Sequence, residues 1–200
     1  MIESMLFGGK SSLPAGQVMY ATANTFSFVV PDGVTAISAY ARGSGGGGGS
    51  GNTSYRGLAG GPGGIGGSNY LNDIPVTPGE TLTIRVGAGG GTPGPGTVTQ
   101  LLRDTTVLLT ATGGASGYNS TGTGSSESNP GYPGPAAPAI PGATGLGTGN
   151  LTPGSGGNGG RGYLIGGGGY TASKGINGCM RIIWGSNRAF PSTNVADVTA

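Results

Sequence analysis

The segment RGLAGGPGGIGG, Arg56 to Gly67, carries a period of three. Gly57, Gly60, Gly63 and Gly66 fill one phase and Gly61, Gly64 and Gly67 a second, while Ala59, Pro62 and Ile65 put side chains on the third. An extended left-handed helix has three residues per turn and no internal hydrogen bonds, so each N–H and C=O of such a segment points sideways. A rod bare on two faces is suited to lie backbone-to-backbone against neighbours, with its third face outside. The arrangement returns in GSGGNGGRG, where Gly154, Gly157, Gly160 and Gly156, Gly159, Gly162 occupy two phases and Ser155, Asn158 and Arg161 the third.

Composition raises the same question for the whole chain. Of 200 residues 49 are glycine, and ordering each backbone costs about 1–2 kcal/mol, with glycine having the most freedom to lose. The charged fraction is 8% and the net charge +2, too low for a chain kept open by self-repulsion. Glycine rods packed side by side can satisfy one another's backbone groups, each net bond contributing about 0.5–1.5 kcal/mol. Collagen is excluded as a description of the chain, because Tyr163, Leu164 and Ile165 break the phase after Gly162.

Between the glycine tracts, at 43–67, 87–96 and 113–169, lie short alternating segments. Phe26, Phe28 and Val30 alternate with Ser27 and Val29, and Ile37 and Ala39 with Ser38 and Tyr40; Pro31-Asp32-Gly33 between them predicts a hairpin. Ile74 and Val76 precede a Pro78-Gly79 turn, after which Leu82, Ile84 and Val86 share one face. TQLLRDTTVLLTATGG holds two more strands about Asp104-Thr105, and GCMRIIWG a last one in which Met180, Ile182 and Trp184 alternate with Arg181 and Ile183. The expectation is all-β: about seven strands in a small antiparallel β-sandwich, with long glycine-rich loops forming polyglycine II-type helices. Pro135, Pro138 and Pro141 favour the same extended helix within the longest tract. The chain divides into an N-terminal docking arm, 1–23, a glycine-rich β domain, 24–185, and a C-terminal extension, 186–200.

Chemistry is sparse. With no histidine and one cysteine, Cys179, neither the usual zinc spacings nor an internal disulfide can be built. The seven acidic residues are scattered, and Asp32, Asp73 and Asp104 read as turn residues, so no catalytic residues, metal ligands or cofactor site are assigned. Gly9-Lys10-Ser11 lacks the first glycine of a phosphate loop, and Gly154, Gly156 and Gly159 form G-x-G-x-x-G by glycine density alone. The basic residues are dispersed, which argues against nucleic acid, and no apolar run approaches the roughly 20 residues of a membrane span. The start, MIESMLFGGKSS, has no basic region or long apolar run of a secretory signal, so the protein is expected to be soluble and made in a reducing cytoplasm. Tyr55, Tyr118, Tyr132, Tyr163 and Tyr170 lie in or beside the glycine tracts and are the surface-recognition candidates, each offering a flat face and one hydroxyl. Packing at strand ends or against neighbouring subunits is the plainer role for them.

The order FSFVVPDGVTAISAYARGSGGGGGSG, VTPGETLTIRVGAGG and GCMRIIWG resembles the glycine-rich domain of bacteriophage tail-fibre and other virion proteins. The residues that carry it are Val30, Pro31, Gly33 and Val34, then Gly45 to Gly49, then Thr77, Pro78, Gly79, Thr81, Thr83, Val86, Gly87, Gly89 and Gly90, within about residues 25–185. The ending RIIWGSNRAFPSTNVADVTA is similar to that of glycine-rich proteins from tailed phages of marine bacteria. The resemblance implies a non-enzymatic virion structural protein, a tail-fibre or tail-associated adhesin that contacts the host cell surface. Its partners would be other virion proteins, further copies of itself, and a host surface glycan or outer-membrane protein. The alternative is a capsid decoration, head-fibre or neck-whisker component that stabilises the virion without binding a receptor, docked through Met1–Phe7 and Ala189–Ala200. An ice-binding protein is a distant third, since the outward phases Ala59, Pro62, Ile65 and Ser155, Asn158, Arg161 do not match.

Overall fold

A computed structural model describes residues 15–50, 60–119 and 172–190. They form eight strands: β1 (Gly16–Tyr20), β2 (Thr25–Val29), β3 (Ala36–Arg42), β4 (Ser68–Pro75), β5 (Thr81–Arg85), β6 (Thr99–Arg103), β7 (Thr106–Ala111) and β8 (Cys179–Trp184). Two four-stranded antiparallel sheets result, ordered β1-β8-β3-β4 and β2-β5-β6-β7. The chain is thus the expected all-β sandwich, and no described residue is helical.

Alternation explains the core. Leu82 and Ile84 of β5, Leu101 of β6, Ile37 and Ala39 of β3, and Met180 and Ile182 of β8 are sealed between the sheets, each 1% exposed or less. Burying one such aliphatic side chain is worth about 1.5–3 kcal/mol. The opposite faces of β3 and β8 are covered as well, where Tyr40 and Ile183 pack with Phe190 in a second cluster.

Three expectations are corrected. The first concerns pairing: β2 and β3 are strands, but they do not form a hairpin. β2 pairs with β5, whereas β3 pairs with β4 and β8 in the other sheet. The Pro31-Asp32-Gly33 turn does form, with Val34 N–H donating to Pro31 O at 3.1 Å and Gly33 at φ 78°. Yet Val30 and Val34 on either side of it are both buried, so the turn carries the chain across the core from one sheet to the other. The Pro78-Gly79 turn likewise crosses from β4 to β5. The two crossings are tied together, Val30 N–H donating to Glu80 O at 2.8 Å and Gly79 N–H to Val30 O at 2.9 Å. The Asp104-Thr105 turn is a true hairpin, with Asp104 at φ 53° in the left-handed region that aspartate tolerates.

Second, Asp73 is not a turn residue. It sits inside β4 at φ 54°, where the register with β3 shifts between Ile37↔Ile74 and Ala39↔Leu71. That is a β-bulge.

Third, the described residues form eight strands where about seven were expected. The additional one, β1, falls within residues 1–23 and supplies an edge of its sheet, Gly16 lying opposite Trp184 and Tyr20 opposite Met180. A side chain at Gly16 would run into the Trp184 indole. Within 186–200, Phe190 is also part of the body: its N–H donates to Asn72 Oδ1 at 2.9 Å, and Asn72 Nδ2 donates to its carbonyl at 2.7 Å. Residues 1–14 and 191–200, and the Pro135, Pro138, Pro141 run, lie outside the described residues.

Candidate functional site

At one end of the sandwich three connections, β3–β4, β5–β6 and β7–β8, leave the sheets as glycine tracts. Their described parts are six rods: 43–49 outward and 60–67 back, 87–91 outward and 94–97 back, 112–118 outward and 173–178 back.

Hydrogen bonds between the rods follow the period of three. Gly43, Gly46 and Gly49 donate to Gly67, Gly64 and Gly61 of the 60–67 rod, at 2.8–2.9 Å. Ser44 and Gly47 donate to Thr97 and Gly94, at 3.3 and 2.8 Å, and Gly45 and Gly48 to Ile176 and Ser173, at 2.9 and 3.1 Å. The 43–49 rod therefore bonds in three directions in turn and lies at the centre. Around it, Gly61, Gly64 and Gly67 donate to Tyr118, Ala115 and Thr112; Gly96 donates to Gly114, Thr97 to Ala88, and Gly175 to Gly90, at 2.7–3.1 Å. The outer rods are thereby joined to one another as well as to the centre.

This answers the arrangement of the 60–67 segment. Gly60, Gly61, Gly63, Gly64, Gly66 and Gly67 are buried, and Pro62 and Ile65 are exposed. A Cβ on Gly60, Gly63 or Gly66 would land on the carbonyl oxygen of Gly49, Gly46 or Gly43 respectively. The close approach is possible only for glycine, and it places Cα–H groups on carbonyls, a weak but recurrent attraction. Gly57, and Gly154, Gly156, Gly157, Gly159, Gly160 and Gly162, lie outside the described residues.

Two buried side chains tie the bundle together, one between rods and one from the sandwich. The hydroxyl of Ser44, fully buried, donates to Ala88 O at 2.6 Å and accepts from Thr97 N–H at 2.7 Å. Thr99 Oγ1, also fully buried, accepts from Gly87 N–H at 3.0 Å. Neither stood out in the sequence. The signal was there in SGGGGG, Ser44–Gly49: a rod with no side chain on any phase after Ser44 has to be surrounded, which marks it as central.

The far ends of the rods meet. Gly49 N–H donates to Gly61 O, Gly61 N–H to Tyr118 O, both at 2.8 Å, and Ser50 N–H to Asn119 Oδ1 at 2.8 Å. Residues 50 and 60, and residue 119, are thus held side by side where the chain runs into 51–59 and 120–171. Among the recognition candidates Tyr118 is at this tip and 57% exposed, while Tyr55, Tyr132, Tyr163 and Tyr170 lie outside the described residues. Lys174 and Ile176 on the 173–178 rod are exposed too.

The carboxylates among the described residues sit elsewhere. Asp32, Glu80 and Asp104 are at the opposite end of the sandwich, at the two crossings and the β6–β7 hairpin. There Arg103 Nε donates to Glu80 Oε1 at 2.5 Å, and together with the Thr77 N–H it holds that carboxyl below its ordinary range. The Cys179 thiol is buried at the start of β8, and burial pushes its pKa up. Among the described residues no three histidine, cysteine, aspartate or glutamate side chains come together as metal ligands, and no helix is long and apolar enough to cross a membrane.

The profile of the glycine-rich domain family matches residues 21–192. The chain belongs to that family. The match spans the strands from β2 onward and all six rods. No curated protein matches the chain.

Proposed function

We propose that this glycine-rich domain protein is a non-enzymatic bacteriophage virion structural protein, a tail-fibre or tail-associated adhesin that contacts the host cell surface. The observation that carries the reading is the polarity of the fold. β1 begins and β8 ends at the sandwich end farthest from the rods, whereas the chain enters and leaves 51–59 and 120–171 at the tip of the rod bundle. One end is suited to attachment to other virion proteins and the other to presentation.

The physics of the bundle supports recognition. Loops anchored on hydrogen-bonded rods lose less conformational entropy when they bind than loops on free glycine linkers. An exposed tyrosine at the tip, Tyr118, adds a flat face and a hydroxyl for a host glycan or outer-membrane protein. Several copies on one particle would turn weak contacts into avidity. The resemblance of the strand and glycine motifs to tail-fibre proteins points the same way.

Gold-labelled antibody imaging of intact particles tests the assignment. Label at the distal end of tail or fibres is expected, together with reduced adsorption of particles carrying Tyr118→Ala. Label over the capsid or neck would replace the adhesin reading with a decoration or neck-whisker component. Absence of the chain from particles would end the virion reading altogether.

A further inference from the structure

At its far end the bundle is stepped. One phase of the central rod donates to the 94–97 rod, Ser44 to Thr97 and Gly47 to Gly94. With three residues per turn, Ser50 is the next donor of that phase, and its acceptor would lie three residues before Gly94, at Gly91. The chain has already turned at Thr92-Pro93, so Gly91 belongs to the outgoing limb and the 94–97 rod ends one turn short of the 43–49, 60–67 and 112–118 rods. Ser50 N–H meets a side chain instead, donating to Asn119 Oδ1 at 2.8 Å. Because the donor is a main-chain N–H, the atom that faces it is the amide oxygen, which sets the orientation of the Asn119 amide.

That bond closes a ring. Gly49 N–H donates to Gly61 O and Gly61 N–H to Tyr118 O, both at 2.8 Å, while Tyr118 is joined covalently to Asn119 and Ser50 to Gly49. Three rods are thus tied pairwise at one level. One turn further in, the central rod and the 112–118 rod are tied by a main-chain bond, Gly117 N–H to Gly47 O at 2.8 Å; at the tip a side chain supplies that tie. Tyr118 lies within the ring. Its carbonyl oxygen takes the Gly61 N–H and sits where a Cβ on Gly49 would fall, and the residue after it is held through the Asn119 amide. The backbone that carries the exposed Tyr118 side chain is therefore gripped from two rods at once.

We propose that Asn119 is the positioning residue of the recognition tip: its side-chain carbonyl stands in for the missing turn of the 94–97 rod and, by closing the three-rod ring, sets the direction in which Tyr118 is presented to the host surface. The role rests on the reading of Tyr118 as a recognition residue. A tyrosine whose backbone is fixed before contact has less freedom to lose on binding. Asn119 acts through Tyr118 and needs only an acceptor at this reach, which aspartate also offers and alanine does not.

Amide exchange on the full-length protein and adsorption of particles carrying the same variants test this together. Asn119→Ala should speed exchange of the Ser50 amide by about tenfold, the factor of one net hydrogen bond, with the amides of Gly46 and Tyr40 unchanged. Both bonded residues are exposed at the end of the bundle, so Tm should stay as it is. Adsorption of Asn119→Ala particles should fall, Asn119→Asp should restore both the slow Ser50 exchange and adsorption, and Asn119→Ala should add nothing to the loss caused by Tyr118→Ala. An unchanged Ser50 amide in Asn119→Ala would overturn the proposal. So would a failure of aspartate to rescue, a further loss in the double variant, or full adsorption of Asn119→Ala where Tyr118→Ala is impaired. If Tyr118→Ala itself adsorbs normally, the recognition reading falls and the role of Asn119 in it falls too, while Ser50 exchange still judges the clamp by itself.

Discussion

The N–H of Gly46 donates to the carbonyl of Gly64 at 2.9 Å, while a methyl group on Gly63, the residue before it, would sit on the Gly46 carbonyl oxygen. Bonding and close approach are therefore one requirement. The rods can exchange hydrogen bonds only because there is no Cβ between them.

Gly63→Ala should destabilise the protein by roughly 2–4 kcal/mol, since the neighbouring backbone cannot yield without breaking further bonds. Pro62→Ala and Ile65→Ser, on the exposed phase, should stay within about 1 kcal/mol. Thermal or urea unfolding of the three variants separates them, and equal losses at positions 62 and 63 would contradict the assignment of faces.

Ser44→Ala removes the hydroxyl that bonds Ala88 O and receives Thr97 N–H inside the bundle. The loss should be about 1–3 kcal/mol, the cost of leaving buried polar groups unmet. Ser44→Gly should lose a similar amount, because the hydroxyl and not the space is what matters; denaturant midpoints measure both.

Glu80 titrates below its ordinary value of 4.5 because Arg103, and then the Thr77 N–H, favour its charged form. A carboxyl depressed in the folded state stabilises the fold above its unfolded value, and that contribution is lost as pH falls through the folded value. Stability should therefore decline below about pH 4.5, and Glu80→Gln should flatten that acid slope while changing little at lower pH. Unfolding midpoints for both proteins between pH 2 and 7 give the comparison, and parallel curves would remove Glu80 from the account.

Much of this was written in the sequence. Leu82, Ile84 and Val86 announced a buried face, and Gly60 to Gly67 announced two, because side-chain periodicity reports burial directly. Pairing was less legible. Pro31-Asp32-Gly33 makes the same local turn whether the chain folds back on its own sheet or crosses to the other, and the choice is made by the burial of Val30 and Val34 together. β1 was missed because GQVMY is short, lacks alternation and gains its order from Trp184 and β8 across the sheet. Asp73 looked like a turn because a bulge uses the same left-handed backbone. At the candidate site the 60–67 phases were readable and the centrality of 43–49 was signalled only by the lack of any side chain after Ser44, while the locking roles of Ser44 and Thr99 left no pattern to read.

The central claim is that the glycine tracts are ordered by bonds to one another, with 43–49 in the middle. Native-state amide exchange of Gly43–Gly49, measured residue by residue beside β3, tests it most directly. The account predicts that all seven amides exchange as slowly as those of Tyr40 and Ala41, through unfolding of the whole domain. Exchange of Gly45–Gly49 at the rate of an unstructured chain, with β3 still protected, would contradict it.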